Sequence, residues 1–400
     1  MENKKLEKSA KLLVVIDSIY SVIGLFSSTF LVAYFLNITN ESIAKISIYY
    51  ILIYLILGIG NIFLSRIIKI KQEACTKIMS IGIILRALFI LTIVLLKEKI
   101  ADNFIFIAII YGISEVFYWA AHEVVYIDAT TNENRKQYMA INMIWNKILN
   151  ILAPLILGSS IELYSFSKIA IYVFALSIIQ IILSLQINSK KDNTVTVQKY
   201  SIKKFLNDLS DEQKNKINKY TKTAIAYGVI EDSLKTLVVI ITIMTFKTSL
   251  NLGVLTSIFS LLSMLTLYLY KKFYSKDNSK SVLATLTILI LVSVIGLIID
   301  INKISLIIYN CVYTVSKGVL TAIYNTKKGD LVKECNIEKW KVEFLSYVEL
   351  FINAGRIIGF VMLLIAGLLN NMLIFKVLLA IVSSVAPVYG YLMYKVEKAK

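Results

Sequence analysis

A chain of 400 residues with 57% hydrophobic and 17% charged residues and a mean hydropathy of +0.72 is too apolar for a fold whose whole surface faces water, which excludes a soluble globular protein. The formal net charge of +17 sits in short stretches between apolar runs, not on one continuous face, so it reads as a topology determinant and excludes a nucleic-acid binder. There is no phosphate-cradling Gly-rich loop ending in Lys-Ser/Thr, no paired zinc histidines and no separate soluble domain, so the chain is not expected to be an enzyme or to hold a cofactor.

The first element opens with Lys4, Lys5, Lys8 and Lys11 before an apolar run from Leu12 to Leu36 with no small-residue cleavage pattern behind it, which predicts a retained first helix. Five more spans follow in the first half: Ile46 to Leu64, Ala74 to Leu96, Phe104 to Val125, Ala140 to Ile161 and Ile169 to Ile187. The second half reads Thr223 to Phe246, Leu250 to Tyr270, Val282 to Ile299, Ile304 to Tyr324, Phe344 to Leu369 and Met372 to Tyr394. Each run is long enough to cross a bilayer core. The expected fold is therefore all-α, a polytopic membrane protein with twelve transmembrane helices. Placing the N-terminus inside puts 31 of the 43 Lys and Arg residues on the cytoplasmic side, seven outside and five within spans. That bias satisfies the positive-inside rule at successive loops and predicts both termini in the cytoplasm of a bacterial inner membrane.

The one long connection, Asn188 to Lys222, divides the chain into a six-helix bundle over 1–187, a cytoplasmic central loop over 188–222 and a second bundle over 223–400. Within the loop, Ile202, Phe205, Leu206 and Leu209 have i, i+3, i+4, i+7 spacing beside Lys203 and Lys204, which suits a short amphipathic helix on the anionic inner leaflet or a polar tether. Ser210 with Gln213 has the spacing of a capping box that starts the next helix.

Ionisable residues inside spans are costly and mark function or structural pairing. The candidates are Asp17, Arg86, Glu115, Lys147, Glu231, Asp232, Lys235, Lys317, Glu349 and Arg356, with His122, Glu123 and Asp128 nearer the inner end of the fourth span. A shift of 202 residues places Tyr111 on Tyr313, Glu115 on Lys317 and Lys147 on Glu349, so each half would hold one acid and one base with signs exchanged. Glu115 with Lys147, and Lys317 with Glu349, are then either locking salt bridges or parts of a transport path. On the seventh span Glu231 and Lys235 share a helical face, while Asp232 points about 100° away and could stay free to load a proton. Asp17, Glu115, Glu231 and Asp232 are the proton-coupling candidates. Lys147, Lys235, Lys317, Glu349 and Arg356 are candidates for substrate contact or charge pairing, with Arg356 able to clamp an anionic group. His122 is the one histidine and has no second histidine with which to build a metal site, and Cys75, Cys311 and Cys335 lack metal-ligand spacing.

Twelve spans, two similar halves, a long basic central loop and inward termini together resemble the major facilitator superfamily over the full chain. Asn134, Arg135 and Lys136 before the fifth span, Asn150, Pro154 and Gly158 inside it, and Glu349, Gly355, Arg356 and Gly359 on the eleventh are similar to family patterns. The family's loop signature after the second span is degraded: Gly60, Arg66, Lys69 and Lys71 remain, but Leu64, Ser65 and Ile67 stand where Asp, Arg and Gly are expected. After the eighth span only Lys271, Lys272, Lys276 and Asp277 are left. The resemblance implies that spans 1, 4, 7 and 10 line a central cavity, that two halves rock about a midplane site, and that Asp17, Glu115, Glu231 or Asp232, and Lys317 surround it.

These readings converge on a secondary transporter of a small molecule, proton-coupled, monomeric, surrounded by membrane lipid, with export favoured by the apolar spans and the absence of sugar- or peptide-recognition motifs. Uptake of a small polar or anionic solute, translocation of a lipid or envelope precursor, and a non-transporting membrane module are the alternatives.

Overall fold

The structure, a computed structural model, describes residues 6–39, 42–70, 74–130, 134–187, 200–274, 278–369 and 371–398. Lys4, Lys5, Lys71, Lys276, Asp277 and residues 188–199 lie outside them, as do the side chains of Arg135, Lys136 and Lys271. Every described element is helical. This is the outcome that long apolar runs impose, because only a helix satisfies its own backbone hydrogen bonds in hydrocarbon.

The membrane helices of the first half are α1 (Lys8–Ile38), α2 (Ile43–Ile70), α3 (Cys75–Leu96), α4 (Phe104–Ala129), α5 (Arg135–Tyr164) and α6 (Phe166–Ser184). After them come a short helix α7 (Ile202–Asp208), then α8 (Asp211–Gly228), a π turn (Val229–Ser233) and α9 (Leu234–Phe246). The last membrane helices are α10 (Ser249–Phe273), α11 (Ser279–Ile299), α12 (Lys303–Glu334), α13 (Lys341–Leu369) and α14 (Met372–Glu397). Among the described residues, 11 helices are long and apolar enough to cross a membrane. The expected seventh span drops out of that set because Glu231, Asp232 and Lys235 fall together in the middle of the continuous helical run over 211–246.

The chain forms two compact units. The first contains Met1–Ile38, Ile59–Tyr200 and Ser249–Ser257. In it α1 packs against α5 and α6, and α3 against α4 and α6. Small residues set the closest approaches: a Cβ on Gly82 would lie 2.6 Å from the Tyr118 nitrogen, so α3 and α4 touch backbone to backbone there. Gly158 on α5 meets Ser249 and Gly253 at the start of α10 in the same way, and Ser257 donates to the Ile151 carbonyl at 2.6 Å.

The second unit contains Thr39–Gly58, Ser201–Thr248 and Ile258–Lys400. Here α8 and the π turn pack along α13, α11 lies against α12 and α14, and α8 also meets α14. A Cβ on Gly228 would collide with the Ile352 carbonyl, one on Gly355 with the Ile225 carbonyl, and one on Gly359 with the Ser233 hydroxyl. Three glycines thus bring α8, the π turn and α13 into main-chain contact.

The amphipathic stretch does form a helix, α7, capped by Ser201, whose hydroxyl accepts from the Lys204 nitrogen at 3.2 Å. Part of its apolar face is covered by protein: Phe205 is fully buried with its ring centre 6.3–6.5 Å from those of Trp340, Phe344 and Tyr347, and Leu209 is buried, while Ile202 and Leu206 are half-buried. Aromatic partners at the start of α13 cover that part, while Lys203 and Lys204 stay exposed. The capping box at α8 is present in full, with Ser210 accepting from the Gln213 nitrogen and Gln213 accepting from the Ser210 nitrogen at 2.7 Å. The Gln213 amide also donates to the Cys335 carbonyl at 2.6 Å, fixing α8 to the end of α12.

Candidate functional site

Each unit holds a buried polar cluster assembled from side chains of neighbouring helices. In the first unit α1 presents Asp17, Tyr20 and Ser21. From α4 come Glu115, Tyr118, Trp119 and His122, and from α5 come Tyr138, Asn142 and Asn146. Spacings of three, four and seven residues keep each set on one helical face.

Asp17, 7% exposed, has four hydrogen-bond partners. Tyr118 donates to Oδ1 at 2.9 Å and His122 Nε2 lies 2.8 Å from the same oxygen; Tyr138 donates to Oδ2 at 2.8 Å and the Asn142 amide at 3.0 Å. Asn146 extends the network, donating to Asn142 at 3.0 Å and accepting from Ser21 at 2.5 Å. Beside it lies a buried ion pair, Arg86 on α3 with Glu115 at 3.2 Å. The Arg86 guanidinium lies 3.6 Å from the centre of the Tyr20 ring, while the Tyr20 hydroxyl and the Trp119 indole donate to Glu115 at 2.7 and 3.2 Å. Tyr20 also stacks on Tyr118 with centroids 3.8 Å apart, so the ion pair and the Asp17 network share an aromatic wall.

In the second unit the π turn carries Glu231 and Asp232, and both carboxylates reach Arg356 on α13, at 2.8 Å to Nη2 and 2.7 Å to Nε. Widening the helix reduces the rotation between successive residues and breaks the regular hydrogen-bond ladder. Asp232 is held by Nε of the same guanidinium whose Nη2 holds Glu231, and the Glu231 carbonyl takes side-chain donors, Tyr313 at 2.8 Å and Lys317 Nζ at 3.1 Å. Tyr227 donates to the Glu231 carboxylate at 3.1 Å, Asn353 accepts from Arg356 at 3.1 Å, and the Tyr54 ring centre lies 5.1 Å from the guanidinium. Lys235 follows one turn later, half-buried.

The charge pairs expected from the 202-residue shift do not form. Glu115 pairs with Arg86 and not Lys147, and Glu349 lies 3.8 Å from Lys328 and not beside Lys317. A register comparison of spans four and five with ten and eleven has no access to α3, whose Arg86 reaches Glu115 across the tight α3–α4 contact, or to the π turn, whose carbonyl draws Lys317. Among the described residues none pairs with Lys147, which is half-buried on α5. Arg356 is engaged by two carboxylates of its own unit. Tyr118, Tyr138, Asn142, Tyr20 and Trp119 were not singled out in the sequence, although Tyr138, Asn142 and Asn146 form a polar stripe of period four inside an apolar helix. Among the described residues no group of three or more His, Cys, Asp or Glu is placed to hold a metal ion.

A family model described as Major Facilitator Superfamily matches residues 16–334. Among curated proteins the chain is similar to the uncharacterized protein YqgE of Bacillus subtilis (strain 168), 21% identical over 368 residues, covering 91% of this chain and 84% of that protein. Among solved structures it is similar in fold to the nucleoside transporter NupG, with a TM-score of 0.71 at 14% identity over 98% of this chain and 100% of that one. A peptide transporter, POT, in complex with sulfate gives a TM-score of 0.71 at 12% identity over 97% and 94%. A bacterial metal transporter gives 0.63 at 13% over 99% and 100%.

Proposed function

Since this chain belongs to the major facilitator superfamily, and is accordingly a multi-pass, non-enzymatic secondary transporter of a small molecule, we propose that it works by alternating access as a proton-coupled exporter. We place it in the bacterial cytoplasmic membrane as a monomer, with both termini inside and six-helix bundles over 1–187 and 223–400. Multi-pass topology comes from the helices; the membrane, the orientation and the coupling ion are our reading of the loop charges and the buried carboxylates.

The observation that supports the coupling reading is the pair of buried carboxylates at Arg356, with Lys317 donating to the Glu231 carbonyl beside them. One guanidinium faces two carboxylates, Glu231 and Asp232, all three about one-sixth exposed. Burial opposes ionised carboxylates and the neighbouring cations favour them, so the two effects compete at this site. Asp17 and Glu115 supply carboxylates to the equivalent cluster of the first unit. The test is an everted-vesicle assay with a fluorescent pH-gradient dye and a probe panel of uridine, dialanine and ethidium. A probe that is carried discharges the gradient only in vesicles holding the protein, and a protonophore abolishes its accumulation. Accumulation that survives the protonophore refutes coupling, and accumulation in right-side-out vesicles alone reverses the direction.

Uptake of a small polar or anionic solute is the second reading, favoured by Lys147, a half-buried cation with no partner among the described residues. Lys147→Gln selectively weakening transport of anionic probes supports it.

A further inference from the structure

The Asp17 cluster contains a division of labour that its acidity alone does not reveal. An ionised carboxylate offers about four lone-pair sites, and Asp17 has three fixed donors on it, two tyrosine hydroxyls and one amide, with an imidazole nitrogen against its remaining site. Adding a proton to Asp17 turns an acceptor into a donor and sets it against donors already in place. The network is therefore built for the anion.

That anion is 7% exposed, and an isolated buried carboxylate is costly. Arg86, the nearest fixed cation in the cluster, is engaged by Glu115 at 3.2 Å. Among the described residues the one cationisable group within 4.0 Å of Asp17 is His122. With Asp17 ionised, Nε2 at 2.8 Å from its oxygen carries the hydrogen, which leaves Nδ1 as the basic atom. No described residue bonds to Nδ1, and the imidazole is more accessible than the carboxylate, 17% against 8% for the side chains.

The groups facing the ring are few. Asp17 approaches from α1. Tyr118 stacks on the ring with centroids 5.2 Å apart, and Trp119 meets it edge-on at 5.6 Å, both from the same helix. Tyr138 and Asn142 come from α5 and reach the ring only through Asp17. Arg86 with Glu115 is internally neutral, so the cluster carries one negative charge when the imidazole is neutral and none when it is protonated.

We propose that His122 Nδ1, and not Asp17, is the proton-binding atom of the first unit, with Asp17 a permanent anion that orients the ring and stabilises the imidazolium. In the protonation step a proton from solvent joins the Nδ1 lone pair, the Nε2–H···Asp17 bond is kept, and no other bond breaks. The cluster becomes neutral and its two charges face each other at hydrogen-bond distance. This deepens the proton-coupled reading above and rests on it for its role in transport, but the site itself is testable without a substrate.

The chain has a single histidine, so protein grown on ¹³C,¹⁵N-histidine gives one imidazole spin system. In lipid, lowering the pH from about 9 to about 5 moves the Nδ1 nitrogen from the unprotonated to the protonated shift while Nε2 stays protonated throughout. Asp17→Asn, which removes the carboxylate but keeps the shape, is the reference for assigning the carboxyl band. In infrared spectra no protonated-carboxyl band that is absent from Asp17→Asn grows in over the same range. The proposal is overturned if Nδ1 does not change across that range, or if such a band appears and assigns the proton to Asp17. Measurement on the native chain keeps the result independent of whether a variant folds. If His122 titrates as described while the protonophore leaves accumulation unchanged, the coupling reading fails and the proton site stands.

Discussion

Truncating Arg356 to alanine tests the second cluster most directly. At an effective dielectric of about 20 a unit charge pair at 2.8 Å attracts by about 6 kcal/mol, part of which desolvation takes back. Removing the guanidinium leaves Glu231 and Asp232 facing each other with side chains only 17% and 19% exposed, so solvent screens them poorly. Loss of one partner from such a pair costs about 3–5 kcal/mol, or a fall of about 4–6 °C in the melting midpoint of a protein this size in detergent. Melting followed by size-exclusion fluorescence reads that shift. Combining R356A with Asp232→Asn removes one uncompensated carboxylate while Glu231 still balances Lys317, so part of the loss is recovered, and that cycle shows a coupling of at least about 1 kcal/mol. R356A melting within about 1 °C of the native protein, or additive single losses, would refute the argument.

Three further perturbations have definite signs. Tyr118→Phe and Tyr138→Phe each remove one donor from the Asp17 carboxylate and lower stability by about 1.5–3 kcal/mol, whereas Asp17→Ala, which orphans all four of its partners, costs more than either, as thermal denaturation will show. Gly355→Ala drives a methyl into the Ile225 carbonyl and lowers melting sharply or abolishes folded yield, while Gly329→Ala, with nothing within 4 Å of the added carbon, gains up to about 1 kcal/mol from helix propensity. Cys335 is 1% exposed, and burial pushes its thiol up from the ordinary range. Its thiolate fraction at neutral pH is therefore small, maleimide labelling is slow, and the rate keeps rising with pH beyond the point where an exposed cysteine levels off.

Most of the fold was legible because lipid leaves the backbone one economical choice and because apolar runs mark it. The seventh span is legible as a helix by its apolar flanks, although Glu231, Asp232 and Lys235 interrupt its apolar run. Of the site, the ionisable residues were legible singly and their partners were not. Glu115 and Lys147 aligned with Lys317 and Glu349 by register, yet Arg86 and the π turn decided the pairing, and neither can be deduced from spacing along one helix. The angle between Glu231 and Asp232 along one helix says nothing of Arg356, whose Nε and Nη2 span both carboxylates from another helix. The amphipathic stretch at Ile202 was read correctly as a helix, but sequence alone does not distinguish a lipid surface from an aromatic cradle made by Trp340, Phe344 and Tyr347. The period-four stripe of Tyr138, Asn142 and Asn146 was the available signal for the Asp17 network.

The three-glycine seam between α8, the π turn and α13 limits how the second cluster can work. Helices in main-chain contact along two turns have no room to slide, and a shear of even one ångström would drive carbonyls into the opposing backbone. The distance between Arg356 and its two carboxylates is thus set by masonry, not by the ions. A change in the proton content of that cluster has to come from water reaching it or leaving it, and not from pulling the ions apart. A variant that loosens the seam, even with every charged residue intact, should therefore blur the cluster's response to hydration before it alters any contact with a transported molecule.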